Sequence, residues 1–414
     1  MLIAIGLNYK NAPINIREKA AISNDALPEA LNFLLKNYAV QEAVILSTCN
    51  RVEIYCVKTH EEPHLKYFFK DYFKINYESY EKYLHKYKHE EAIEHLFEVA
   101  CGLDSMVVGE TYILRQVKDC FHIAKQCGAT TTILNRLFQK AISVGKKVQS
   151  ETKINKYLSS VPHAAVLFAE KITGSLKDKT IAVIGSGKIG KIAVRKIAEY
   201  KPKEILIINR SLENAELLAK EIGAKPLKLD KNFSYLKDCD LVISSTTAPD
   251  YVLKYNDVLN NIKQRNNSKP LIFIDLAVPR DIDPEISKIK NVQLYNIDDL
   301  SKTVDEITQI RKEEIKQAEK IIEKEYENFI AKFSSYQIDP VIKGLKDKFE
   351  EIRRSEEKRL FKEFEGFDED QKEKINYYGK ALINKLSHLP IKNIKENSKD
   401  SEKIINLIKE LFEL

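Results

Sequence analysis

The run T-I-A-V-I-G-S-G-K-I-G at residues 180–190 constrains this chain more than any other stretch. An apolar, β-branched segment of strand length meets Gly185, Ser186, Gly187, Lys188, Ile189 and Gly190, and helical spacing follows from Lys191 to Tyr200. A G-x-G-x-x-G pattern alone is weak evidence. Between a buried strand and a helix it describes the first turn of a dinucleotide-binding unit. Gly185 permits the tight turn, Gly187 lets a pyrophosphate approach the backbone, and Gly190 lets helix and strand pack closely; the helix N-terminus offers unpaired N–H groups to phosphate. Lys188 does not convert this into a triphosphate-binding loop, because G-K-[ST] at the required spacing is absent. The strand-length runs E-I-L-I-I-N, D-L-V-I-S-S and P-L-I-F-I-D-L follow in alternation with helical stretches. Residues 160–300 are therefore expected to form a Rossmann-type doubly wound parallel sheet that binds NADP.

The choice of NADP rests on the end of the second strand, Asn209-Arg210-Ser211. An NAD site usually has an acidic residue there for the ribose 2′-hydroxyl. A guanidinium and a hydroxyl suit a 2′-phosphate instead, so NADPH is the expected cofactor.

Residues 1–155 read as a smaller α/β unit. Strand-length runs I-A-I-G-L and E-A-V-I-L-S-T flank a helical stretch around Leu27 to Leu35, and from about His89 to Thr152 the pattern is helical, with Gly102 a plausible stop. After about Asp299 glycines and strand runs nearly vanish. Ile315, Ala318, Ile322, Tyr326, Phe329 and Phe333 recur at three- and four-residue spacing, which predicts a long amphipathic helix, with a break at Asp339-Pro340 and further charged helix to Leu414. Residues 301–414 are thus expected to form a long-helix dimerisation domain, and the chain a homodimer of multidomain α/β type.

The chemistry concentrates in two clusters. In S-T-C-N-R-V-E, Cys49 follows a strand between Thr48, Asn50 and Arg51. Alone, Cys49 reads as a packing residue; with polar neighbours it becomes a candidate nucleophile, because a thioester splits one hard step in two and presents a carbonyl to hydride. Arg51 offers a planar fork to a carboxylate, and Glu53 can orient it. In H-L-F-E-V-A-C-G-L-D-S-M-V-V-G-E-T-Y-I-L-R-Q, His95 can polarise a carbonyl or lower the pKa of Cys49, while Ser105, Glu110 and Gln116 add polar groups.

These two clusters, together with D-L-A-V-P-R-D-I-D-P from Asp275 to Pro284, resemble glutamyl-tRNA reductase in the right order along the chain. The resemblance implies that Cys49 is the nucleophile, that Thr48, Asn50 and Arg51 hold the glutamyl group, and that His95 matters for activity. It further implies that Ser105, Glu110, Thr111, Tyr112 and Gln116 contact substrate. The family usually has Gln where Tyr112 stands, and a phenol cannot copy an amide's paired donor and acceptor. The implied reaction is NADPH-dependent reduction of glutamyl-tRNA to glutamate-1-semialdehyde through a Cys thioester, with release of tRNA, early in tetrapyrrole (porphyrin) biosynthesis. Charged tRNA is the implied partner, and a transient complex with glutamate-1-semialdehyde aminomutase is another. The competing readings are a shikimate-type NADP dehydrogenase, which leaves Cys49 unemployed, and a non-catalytic tRNA-binding regulatory dimer.

Composition narrows the setting. Six cysteines without a C-x-x-C pair point to reduced thiols rather than a disulfide framework, no metal-ligand spacing is evident, and no stretch approaches a membrane span. A cytoplasmic enzyme without metal is expected. A net charge of +6 is mild, and the lysine- and aromatic-rich segment from Lys58 to Lys88 is the candidate tRNA surface, with an amphipathic helix as the plainer alternative.

Overall fold

The computed structural model describes residues 1–58, 65–154, 160–230, 232–265, 269–300, 312–364, 366–396, 407–408 and 410–412. Met1–Glu323 and Lys324–Leu414 form two compact units.

The first unit carries two sheets. Strands β1 (Leu2–Asn8), β2 (Val40–Ser47), β3 (Arg51–Lys58) and β4 (His85–Lys88) form an antiparallel sheet in the order β2-β3-β1-β4. All of β1 and nearly all of β3 are buried. The alternation of an open sheet is therefore missing, because helices Leu27–Asn37, Glu90–Cys101, Tyr112–Gln126 and Thr132–Glu151 pack around it. Glu42 on β2 accepts hydrogen bonds from the N–H groups of Thr131, Ile133 and Leu134, so its carboxylate satisfies the orphan donors at one helix start. Gly102 ends the helix Glu90–Cys101 at φ 76°, the stop expected from the sequence.

The second sheet contains β5 (Thr180–Ile184), β6 (Glu204–Asn209), β7 (Lys225–Lys228), β8 (Leu241–Ser244), β9 (Leu271–Asp275) and β10 (Val292–Asn296). Every pairing is parallel and the order is β10-β9-β8-β5-β6-β7. Renumbered from β5, this is the dinucleotide-fold order 3-2-1-4-5-6. Ile181 and Val183 pack into the core on one face, Ala182 and Ile184 into the core on the other.

Two expectations need correction. The helix Lys312–Glu363 runs through Asp339-Pro340 without a break. A proline removes one ladder N–H, a loss that a helix of 52 residues can absorb through its remaining bonds. The interruption comes instead near Gly366, at φ 113°, before Asp368 caps the helix Glu369–Glu396: its carboxylate accepts from the Gln371 N–H while its own N–H donates to the Gln371 side chain. Secondly, part of the aromatic set between Lys58 and Lys88 is structural. Phe68 and Phe69 are buried, and Phe68 stacks on Tyr72 and meets Phe33 and Tyr38, so these rings are unavailable to nucleic-acid bases. Residues 59–64 of that segment lie outside the described residues.

Candidate active site

The T-C-N-R stretch is a hairpin apex. Residues β2 and β3 pair up to Ser47 and Val52, and the Thr48 N–H donates to the Arg51 carbonyl at 2.8 Å. Thr48 Oγ1 accepts from the N–H groups of Asn50 and Arg51 at 3.1 Å, a side-chain turn that fixes the apex. Arg17 donates to the Cys49 carbonyl and to Asn50 Oδ1. Cys49 is thereby held at a bend with its thiol toward a cavity.

Cys49 shares that cavity with Thr48, Asn50, Arg51, Ser105, Glu110, Tyr112 and Gln116 from the N-terminal residues, and with Lys188 and Ile189 from the glycine turn. Cys49 and the glycine turn thus line one space. The turn has the expected form: the Gly185 N–H donates to Ile208 O at 2.8 Å with φ 98°, and a Cβ on Gly190 would fall 1.9 Å from the Gly185 carbonyl. A Cβ on Gly187 would meet nothing within 4 Å, and the helix Lys188–Glu199 has no side-chain cap at its start. Open space against unpaired N–H groups fits a pyrophosphate. Arg210 is exposed, with no hydrogen bond or ion pair to the described residues, while Ser211 caps the helix Leu212–Ile222 and the Asn209 side chain donates to the Ser211 carbonyl.

The interior behind Cys49 is an ionic network. Arg51, 1% exposed, donates from one terminal nitrogen to Glu53 Oε1 and Asp104 Oδ2, both at 2.9 Å, and from the other to the Asp104 carbonyl. Lys10 pairs with Asp104, and Tyr55 donates to Glu53 Oε2 at 2.8 Å. Burial alone would raise the Glu53 carboxyl, but the Arg51 guanidinium and then His95 hold it well below the usual range. His95 does not line the cavity. Its Nε2 sits 3.1 Å from Glu53 Oε1, so it touches the network behind Arg51 rather than Cys49. Thr111 likewise stands outside the lining, at the start of the helix Tyr112–Gln126.

The expectation that no cluster has metal-ligand spacing is corrected by Glu53, His85 and His95, whose donor atoms lie within 4.8 Å of one another. Arg51 and Tyr55 already take both Glu53 oxygens, and a cation there would lie against a guanidinium. Glu53 and His95 are best understood as part of the hydrogen-bonded network, with His85 Nε2 3.4 Å from Glu53 Oε1 beside it.

Burial pushes the Cys49 thiol up to about 12, and the Glu110 carboxylate adds to this. At neutral pH the sulfur therefore carries its proton. Burial likewise pushes Glu110 up to about 7, opposed by the Ser105 hydroxyl and Arg51. Tyr112 is joined to the cofactor turn by Lys188, whose ammonium lies 5.7 Å from the ring centroid.

Sequence reasoning missed Ser160 and Ser245. Both line the cavity with buried hydroxyl oxygens that have no hydrogen-bond partner among the described residues. Two orphan hydroxyls around one cavity suit a polar ligand. Isolated serines carry no sequence signal, although Ser245 directly follows β8, where sheets of this order bind ligands. The D-L-A-V-P-R-D-I-D-P motif closes the same wall. Asp275 accepts from the N–H groups of Ala277 and Ile282, Asp281 from Ser244 Oγ and the Thr246 N–H, and Arg280 pairs with Glu18 of the N-terminal residues at 2.7 Å.

Known proteins match along the whole chain. The family model for the glutamyl-tRNAGlu reductase N-terminal domain matches residues 5–152, that for shikimate / quinate 5-dehydrogenase matches 167–303, and that for the glutamyl-tRNAGlu reductase dimerisation domain matches 317–414. The glutamyl-tRNA reductases of Geotalea uraniireducens and Shouchella clausii are each 38% identical to it over 100% of this chain, spanning 96% and 92% of those proteins. The solved glutamyl-tRNA reductase from Methanopyrus kandleri aligns over 100% of this chain and 99% of its own, at 29% identity and TM-score 0.54. The dehydrogenase likeness is confined to residues 167–303, whereas these relatives account for the cysteine hairpin, the glycine turn and the C-terminal helices together: the chain belongs to the glutamyl-tRNA reductase family.

Proposed function

We propose that this enzyme reduces glutamyl-tRNA to glutamate-1-semialdehyde through a thioester on Cys49, with NADPH as reductant and free tRNA as the other product. The observation that carries this reading is the shared cavity, lined both by Cys49 and by Lys188 and Ile189 of the glycine turn. Cys49 attacks the ester carbonyl, the S–C bond forms, and the ester oxygen leaves with the tRNA ribose. Arg51 meets the glutamyl carboxylate as a guanidinium already fixed by Glu53 and Asp104, so little ordering is needed on binding. Ser105 and Gln116 supply polar contacts from the same wall. Gly185 to Gly190 would hold the dinucleotide phosphates, and Arg210 the 2′-phosphate. When bound, the cofactor supplies hydride to the acyl carbon.

Incubating the protein with glutamate-labelled glutamyl-tRNA in the absence of NADPH should give a covalently labelled chain that hydroxylamine releases. Adding NADPH should convert the label to aldehyde. Labelled tRNA that is neither deacylated nor reduced overturns the proposal.

Changing Arg210 to Asp should raise KM for NADPH on the order of 10- to 100-fold, the value of one charge-assisted contact, and leave KM for NADH nearly unchanged. Equal effects on both cofactors reject the role of Arg210.

The assembly proposed is a homodimer. Within the second unit Tyr377, Tyr378, Leu382, Leu386 and Leu389 of the helix Glu369–Glu396 are exposed, an apolar surface that a second copy of the chain would cover. Among the described residues no helix is long and apolar enough to cross a membrane.

A further inference from the structure

We propose that Glu110 is the proton acceptor for Cys49 and returns that proton to the departing ribose oxygen. The inference deepens the thioester reading above and rests on it.

Acyl transfer requires a proton to move. The Cys49 S–H bond breaks as the S–C bond forms, and the ester C–O bond breaks as an O–H bond forms on the leaving tRNA, so one proton travels from sulfur to oxygen. His95 does not line the cavity that holds the thiol, and Glu53 and Asp104 are committed to Arg51. Glu110 is the carboxylate among the residues that line it. The charged and titratable groups sharing the cavity with it are Cys49, Arg51, Tyr112 and Lys188.

Glu110 is also held in place by its backbone. Gly109 stands at φ 79° with its N–H donating to Gly102 O at 2.9 Å, and the Glu110 N–H donates to Val107 O at 3.0 Å. A Cβ on Gly102 would lie 2.9 Å from the Glu110 carbonyl, and one on Gly109 would lie 2.7 Å from Ile154. Two glycines thus allow the turn that sets Glu110 in the wall of the cavity that Cys49 also lines. Its carboxyl, pushed up by burial to about 7, is close in basicity to what proton transfer at neutral pH demands.

The test is single-turnover acylation with labelled glutamyl-tRNA in the absence of NADPH, at saturating substrate, across pH. In the parent protein the acylation rate should rise with pH and level off above about pH 7. Glu110→Gln should slow acylation on the order of 100-fold or more and abolish that inflection. Glu110→Asp should retain the inflection at a reduced rate. Tryptic mapping of iodoacetamide-labelled Cys49 provides a readout without substrate: alkylation in Glu110→Gln should lose its pH step near 7. Acylation at the parent rate in Glu110→Gln, or a change in substrate affinity with the saturated rate and pH profile intact, overturns the proposal. The parent protein is the control for the underlying reading: no acyl-enzyme there rejects the thioester itself, whereas acyl-enzyme formed at the same rate and with the same pH profile in both proteins rejects only the role of Glu110.

Discussion

Cys49→Ser should form no hydroxylamine-labile glutamyl-enzyme and reduce glutamyl-tRNA at a rate on the order of a thousandth of the parent or less. The substitution is nearly isosteric, so the hairpin turn set by Thr48 should persist. What changes is the chemistry. A serine hydroxyl is less acidic than a thiol, and the cavity pushes the Cys49 thiol upward through burial and Glu110, offset only in part by Arg17 and Arg51. An acyl-serine, if formed, would be an oxygen ester no more reactive than the substrate ester it replaced, so the gain from covalent catalysis would be lost. Turnover measured beside the melting temperature separates this from misfolding. Parent-like turnover, or a labile acyl-enzyme in the variant, would refute the role of Cys49.

How much of this site was legible in the sequence depended on how local each signal was. The glycine turn is largely local: Gly190 is required by its approach to the Gly185 carbonyl within a single strand–turn–helix segment, and only the contacts with Ser245 come from elsewhere in the chain. Its architecture followed, although β7 and β10 were not anticipated. K-P-L-K is too short and polar to announce a strand, and V-Q-L-Y-N is only partly buried. Strand β3 was harder. Its run R-V-E-I-Y-C-V-K places a buried Arg51 and Glu53 on an interior strand, and burial of such charges is tolerable only with partners. Those partners, Asp104 and His95, stand far away in sequence, so beyond the orienting of Arg51 by Glu53 the network left no local signal.

The same distance explains His95 and the orphan serines. A histidine on an amphipathic helix shows its face but not what lies beneath, and here Glu53 lies there rather than Cys49. Ser160 and Ser245 enter the cavity because a helix and a strand end meet there in space. Glu110 was visible as a polar residue of its motif. Its enclosure beside the thiol, which changes its basicity and its possible role, needed the fold.

Arg51→Met should lower stability by about 3–5 kcal/mol at neutral pH, the loss expected when one partner of a buried ion pair is removed. Methionine preserves much of the volume but leaves Glu53, which is 0% exposed, and Asp104 without their shared cation. Both carboxyls are held below their ordinary values against burial, chiefly by Arg51. A depressed folded-state pKa contributes stability above the unfolded-state value, and that contribution disappears as pH falls through the folded-state value. Removing Arg51 deletes this contribution, so the deficit should be greatest at neutral pH and narrow below the ordinary glutamate value of 4.5, where the carboxyls protonate. Urea midpoints for both proteins at neutral and acidic pH measure it. Arg51→Lys should lie between them, because an ammonium retains the charge but cannot span Glu53 and the Asp104 carbonyl together. Combining Arg51→Met with Glu53→Gln should recover part of the loss, since the largest unpaired charge goes with it. A deficit under about 1 kcal/mol that does not vary with pH would mean the pair is worth no more than a surface contact, and that the guanidinium is free to serve the substrate alone.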